Sequence, residues 1–245
     1  MAAPDGPAVD ATRATTFVAG DGAAAGGVPL DCVVGSQAYV AGAPASSAAA
    51  CALGVVAPLS EEEGDDLTGA DLEVLQELQD MLCNKGFIVP TRPGPAEILP
   101  YLLLGGEDDA RNLEVLVRLG VTHVLNVAGS EVKTGAKVYE KPGIQYSEII
   151  SEDTQAYDIM QHFAEVEQVA DEVARADPPG RLLVHCFAGV NRSGTLCLAY
   201  HMVKSGMSLL ESARHCKAAR GRICTNTAFQ QQLFRFARQR CHALR

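Results

Sequence analysis

The stretch VHCFAGVNRSG, at positions 184 to 194, gathers reactive side chains at a spacing suited to phosphate. An apolar run stops at His185-Cys186, and Arg192 stands six residues beyond the thiol in a turn of small residues. A thiolate is a strong nucleophile, and a guanidinium is a planar fork that matches two oxygens of one phosphate. A short loop of small residues can turn successive backbone N–H groups to one side as an anion cradle, and Gly189 permits the tight curvature. The chemistry encoded is attack of Cys186 on phosphorus, with Arg192 and the loop residues Phe187, Ala188, Gly189, Val190 and Asn191 holding the oxygens. A lone cysteine at a strand end is usually a small buried hydrophobe, but His, Cys, Gly and Arg seldom coincide at fixed spacing. His185 is best placed to orient Cys186 through hydrogen bonds within the loop.

The flanking residues show what positions this loop. RLLVHC is nearly all apolar, as a central buried strand should be, and 193 to 204 follows as a helix closed by Ser205-Gly206. The loop therefore joins the C-terminal end of a strand to a helix N-terminus, whose unpaired N–H groups and dipole favour an anion. Upstream, YLLLGG, VTHVLNVAG and IQYSEII read as strands. NLEVLVRLG and the stretch from about Asp158 to Ala176 read as helices, and two more cover 208 to 219 and 226 to 240. TGADLEVLQELQDMLCNKG predicts an amphipathic helix capped by Thr68, with Leu72, Leu75, Leu78 and Leu82 on one face, and VPTRPGPAEILP a Pro-rich linker. Strands alternating with helices predict an α/β fold with a largely parallel sheet of about five strands flanked by helices. Residues 1–67, rich in Ala, Gly, Ser and Pro, are expected to be a mostly disordered tail, in which LDCVV and QAYVAG are candidate short strands. Residues 68–245 are expected to form the catalytic domain, with the first helix docked on it.

A net charge of -10 gives no general reason to expect nucleic acid or an anionic membrane as partner. The charge is unevenly spread: residues 71 to 174 hold 7 Lys+Arg against 19 Asp+Glu, and residues 181 to 245 hold 11 Lys+Arg against Glu211 alone. Arg214, Lys217, Arg220 and Arg222 accordingly read either as a solvated helix face or as a surface for an acidic substrate. The eight cysteines show no paired CxxC spacing, so neither a metal site nor a disulfide framework is indicated, and no cofactor is expected. No apolar stretch is long enough to span a bilayer, and MAAPDGPAVD lacks the features of a signal peptide. A reducing compartment, cytoplasm or nucleus, is the expected location.

HCFAGVNRSG resembles the signature of the cysteine-dependent protein phosphatases. EILPYLLLGG, LGVTHVLNVA, YEKPGIQYSEI and NTAFQQQL are similar to successive segments of the small atypical dual-specificity phosphatases, and the likeness runs from about residue 68 to 240. The resemblance implies the dual-specificity phosphatase fold and metal-free hydrolysis through a phosphocysteine. Its substrates would be phosphotyrosine, phosphoserine and phosphothreonine on proteins, with protein kinases among the candidate partners. Such chemistry needs a general acid on a separate loop. The residues alone do not choose among Glu152, Asp153 and Asp158 in SEDTQAYDI; the resemblance assigns Asp153. It also implies that Ser193 donates a hydrogen bond to the Cys186 sulfur and that Asn226 braces the loop. Thr225 stands where the family usually has proline, so that turn is expected to be less rigid, and Val190 leaves the rim contacts open. Phosphoinositides and RNA 5'-triphosphates are the alternative substrates, and a phosphoprotein-binding pseudophosphatase the non-enzymatic reading. The uncharged residues between Cys186 and Arg192 favour a monophosphate on protein.

Overall fold

The computed structural model describes residues 67–83 and 90–240. The expected tail, with LDCVV and QAYVAG, lies outside the described residues apart from Leu67. Five four-residue strands form one sheet: β1 (Ala96–Leu99), β2 (Leu102–Gly105), β3 (His123–Asn126), β4 (Gln145–Glu148) and β5 (Leu182–His185). The order is β1-β2-β5-β3-β4, with β1 antiparallel to β2 and the other pairs parallel. The α/β fold with a largely parallel sheet is thus present. β1 lies inside the segment expected to be a linker. AEIL has Ala96 and Ile98 buried with Glu97 exposed between them, the alternation of a half-covered edge strand, and the prolines fall outside it.

The central strands are apolar on both faces because both are covered. Leu102 and Leu104 of β2, with Leu182 and Val184 of β5, enter a large core, while Leu103 and Leu183 point into a smaller one. The small core lies under the short helices α2 (Glu107–Arg111), α3 (Leu113–Arg118) and α4 (Ala136–Glu140) and is centred on Leu116, Val124 and Tyr139. Of these helices only α3 has a period long enough to read in the sequence. The large core holds α5 (Phe163–Arg175, entered through a 3₁₀ turn at Met160–His162), α6 (Arg192–Ser205), α7 (Leu209–Arg220) and α8 (Thr227–Arg240). Arg192 to Met202 are all buried, so α6 is the hub, enclosed by α5, α7, α8 and the sheet.

Helix α1 (Gly69–Leu82) packs on α7 and α8. Thr68 and Asp71 close a reciprocal capping box at its start. Its buried stripe is Val74, Leu75, Leu78 and Leu82, whereas the expected Leu72 is 52% exposed. At about 100° per residue Leu72 falls roughly 100° from the direction shared by Leu78 and Leu82, and Asp71 and Val74 lie nearer the seam instead. Among the described residues the five cysteines are free thiols, and no helix is long and apolar enough to cross a membrane.

Candidate functional site

Cys186 follows the last residue of β5, at the sheet's centre, and is 2% exposed. The five residues after it form a loop whose carbonyls are held from outside. Glu107 N–H donates to the Phe187 carbonyl at 2.9 Å, and Arg220 donates to Ala188 (Nη2, 3.4 Å) and Gly189 (Nε, 3.2 Å). Cys224 N–H donates to Val190 at 2.7 Å. In a planar trans peptide the N–H points opposite to the C=O. Pinning these four carbonyls outward turns the N–H groups of Ala188, Gly189, Val190 and Asn191 to the inner side, where they can bind an anion at the start of α6. Two glycines make this fit. Gly189 has φ +64°, and a Cβ there would lie 2.4 Å from the Gly105 carbonyl; a Cβ on Gly106 would approach the Phe187 oxygen to 3.0 Å.

Arg220 is the residue that the sequence misplaced. Instead of lying on a solvated basic face it is 2% exposed, at the end of α7. Besides the two loop carbonyls it donates to the carbonyls of Gly94 (2.8 Å) and Arg92 (3.4 Å) and pairs with Asp109 at 3.2 Å. Asp109 in turn accepts from Gly106 N–H at 2.8 Å, so one buried ion pair joins the end of β2, the segment before β1 and the anion loop. Of its expected companions, Arg214 pairs with Glu77 and Lys217 donates to the Met81 carbonyl, both tying α7 to α1. The sequence signal for Arg220 is slight: an arginine in the last helical turn before Gly221, an ordinary surface position.

Arg192 opens α6 with its side chain 3% exposed. Its Nη2 donates to Glu131 at 2.8 Å and Nη1 to the Ser151 carbonyl at 3.3 Å, which spans the loops after β3 and β4. Nε–H is buried and has no hydrogen-bond partner among the described residues, the kind of donor that a bound oxyanion satisfies. The Ser193 hydroxyl donates to Cys186 Sγ at 3.1 Å. His185 Nδ1 lies 3.3 Å from the Cys186 carbonyl oxygen, and burial pushes the imidazole down to about 4, so it is neutral near pH 7. Phe187 is 60% exposed on the rim, and Val190 is buried.

The structure brings Asp153 to the same site. Its carboxyl accepts from Asn191 Nδ2 at 3.2 and 3.0 Å and from Asn226 Nδ2 at 3.0 Å. Asn226 Oδ1 also accepts from the N–H groups of Ala228 and Phe229, capping α8. Asp158 instead accepts from Met160 N–H, at the turn into α5, and Glu152 is exposed. Gln155 accepts from Thr227 and Ala228, and Gln232 bonds Ile159 N–H and the Tyr157 carbonyl, so α8 holds the whole Asp153 loop. The expected slackness at Thr225 is not what the structure shows. Its N–H and hydroxyl both donate to Asn191 Oδ1, at 2.8 and 3.1 Å, and a proline could make neither bond.

A thiol in an N–H cradle, a buried arginine with a free donor and a carboxyl on a facing loop form a set competent for phosphoryl transfer. Comparison with known proteins agrees: the family model described as "Dual specificity phosphatase, catalytic domain" matches residues 102–239. The chain belongs to that family, in its atypical branch within the cysteine-dependent tyrosine phosphatase superfamily. It is 41% identical over 145 residues to human dual specificity protein phosphatase 26, covering 58% of this chain and 67% of that one. Human dual specificity protein phosphatase 13B is 40% identical over 139 residues, 56% and 69% of the two chains. The crystal structure of DUSP15 superimposes with TM-score 0.53 at 32% identity, covering 59% of this chain and 88% of that chain. The protein is thus a dual-specificity protein phosphatase.

Proposed function

We propose that the reaction proceeds through a phosphocysteine on Cys186, on phosphotyrosine and phosphoserine or phosphothreonine of protein substrates. The Cys186 thiolate attacks phosphorus as the ester P–O bond breaks. The departing electron pair stays on the leaving oxygen, and Asp153 delivers a proton to it. Arg192 and the N–H groups of 188 to 191 hold the three remaining oxygens as charge spreads over them. Water then attacks phosphorus, Asp153 takes its proton, and the P–S bond breaks with its electron pair returning to sulfur. The Ser193 hydroxyl, donating to Sγ, makes the thiolate a better leaving group in that step. His185 holds the Cys186 backbone, and Asn226 braces Asp153. The observation that carries this reading is the set of four loop carbonyls fastened outward beside Cys186, with the Ser193 hydroxyl on its sulfur.

A phosphorylated protein suits a cradle whose side chains between Cys186 and Arg192 are all uncharged. Arg220 is buried, and Lys217 and the exposed Arg214 are engaged with α1, which weakens the support for a polyanionic lipid or RNA substrate. Phosphoproteins, phosphorylated kinases among them, are the proposed partners. Residues 68–245 are the proposed catalytic domain, and a reducing compartment, cytoplasm or nucleus, suits its free thiols. The test gives purified protein a phosphotyrosine peptide, a phosphothreonine peptide, a phosphoinositide and 5'-triphosphate RNA, beside a Cys186→Ser control. Turnover of both peptides with a phosphate mass adduct trapped on Cys186 is expected. Turnover of lipid or RNA alone would overturn the substrate reading, and an equally active control the thiol mechanism.

A further inference from the structure

Asn191 stands immediately before Arg192 and is 5% exposed, and its amide faces two segments at once. Its Oδ1 accepts three hydrogen bonds, from Thr225 N–H (2.8 Å), the Thr225 hydroxyl (3.1 Å) and Asn226 N–H (3.1 Å). Three donors converging on one atom decide which end of the amide is oxygen. The amide nitrogen must then face the other way, and there Nδ2 spans both carboxyl oxygens of Asp153, at 3.2 and 3.0 Å. Asp153 itself is exposed, on a loop, where a free side chain would sample several rotamers.

We infer that Asn191, oriented by Thr225, is a positioning residue for proton transfer: it fixes the Asp153 carboxyl relative to the loop that holds the phosphate. The inference rests on Asp153 being the general acid. A carboxyl group has about four acceptor sites, and the two amides take up those on the latch side, so a proton carried by Asp153 sits outside the latch. Fixing one orientation raises the fraction of molecules in which that proton is in reach of the leaving oxygen. Thr225 is what makes the latch work in this chain. With proline at 225, Asn191 Oδ1 would lose two of its three donors and keep only Asn226 N–H, so the amide would be held less firmly against the Asp153 carboxyl.

The consequence depends on the leaving group, which separates positioning from simple support of the fold. An alkoxide needs its proton during P–O cleavage, and an acidic phenol needs it much less. The experiment measures kcat/KM on a phosphoserine peptide and on para-nitrophenyl phosphate and takes the ratio of the two. Asn191→Ala is expected to lower the alkyl-to-aryl ratio about tenfold, and the near-isosteric Thr225→Val about threefold, the scale of one hydrogen bond. Asp153→Ala should lower it further, and adding Asn191→Ala to Asp153→Ala should leave the ratio where Asp153→Ala put it, since no carboxyl remains to position. An unchanged ratio in both Asn191→Ala and Thr225→Val, with the Asp153→Ala ratio lowered, overturns the latch and leaves the acid in place. An unchanged ratio in Asp153→Ala overturns the acid assignment itself. If melting curves show Asn191→Ala unfolded, Thr225→Val, which keeps size and shape, decides the question.

Discussion

Cys186 and Asp153 serve one proposed reaction but are held in opposite ways. Around Cys186 the backbone carbonyls are fastened by hydrogen bonds, two of them from a guanidinium that is 2% exposed, and two glycines let neighbouring backbone approach closely. Asp153 stands exposed, tied by neutral amides to Asn191 and Asn226, on a loop hung from α8 by Gln155 and Gln232. A loop of inward N–H groups repels its own dipoles until an anion arrives, so it must be preorganised at the expense of folding energy. A carboxyl in the proposed acid and base role needs water and access, so it is held by side-chain amides at its rear and not by burial. One side is held by burial and the other by a few side-chain hydrogen bonds to an exposed carboxyl.

That contrast can be broken or sharpened by measurement. The largest effect is expected for Cys186→Ser, a loss on the order of 10⁵-fold in kcat on every phosphoester tested, with the fold intact by circular dichroism. Asp153→Asn should cost about 10²–10⁴-fold on a phosphoserine peptide and far less on para-nitrophenyl phosphate, because only the first requires a strong acid. Arg220→Met should show the cost of the rigid side. It strands Asp109 and four carbonyl acceptors, and the expected loss is about 3–5 kcal/mol, or roughly 10 °C in melting temperature, with kcat reduced as the cradle relaxes. A variant that melts normally but has lost activity would instead place Arg220 in substrate contact.

The smallest effect concerns pH. Burial lowers His185 to about 4, and burial with the stacked His215 lowers His201 to about 4, against 6.5 for a free imidazole. Both are neutral in the folded state, and the unfolded chain binds their protons first. Their contribution is therefore full above pH 6.5 and declines as pH falls toward 4. By pH 5 the expected loss is about 2 kcal/mol from the more deeply enclosed His185 and a smaller share from His201, read as a fall in melting temperature between pH 7 and pH 5. His185→Asn and His201→Asn should each flatten that fall, and its persistence in both single variants would move the cause elsewhere.

The anion loop was readable because its chemistry is local: a thiol, a glycine and an arginine at fixed spacing, between an apolar run and a helix. The sheet was readable for the same reason, since VTHVLNVAG and RLLVHC carry their burial in their composition. What escaped was set by contacts across long sequence gaps. Arg220 reaches Asp109 and Gly94, each more than a hundred residues away, and a terminal-turn arginine looks the same whether or not such partners await it. β1 was hidden among prolines because its pairing with β2, rather than its own period, makes it a strand. Thr225 looked like a defect against the family pattern, and only its two bonds to Asn191 show what it supplies.

The two carbonyls that Arg220 takes from Arg92 and Gly94 bear on where this enzyme can be cut. The family match begins at residue 102, and a truncation made there would discard β1, α1 and both of those acceptors. An active fragment is therefore expected to start upstream of Arg92, and nicking the chain between Pro90 and Ala96 is expected to silence the phosphatase without touching a residue of the proposed substrate site.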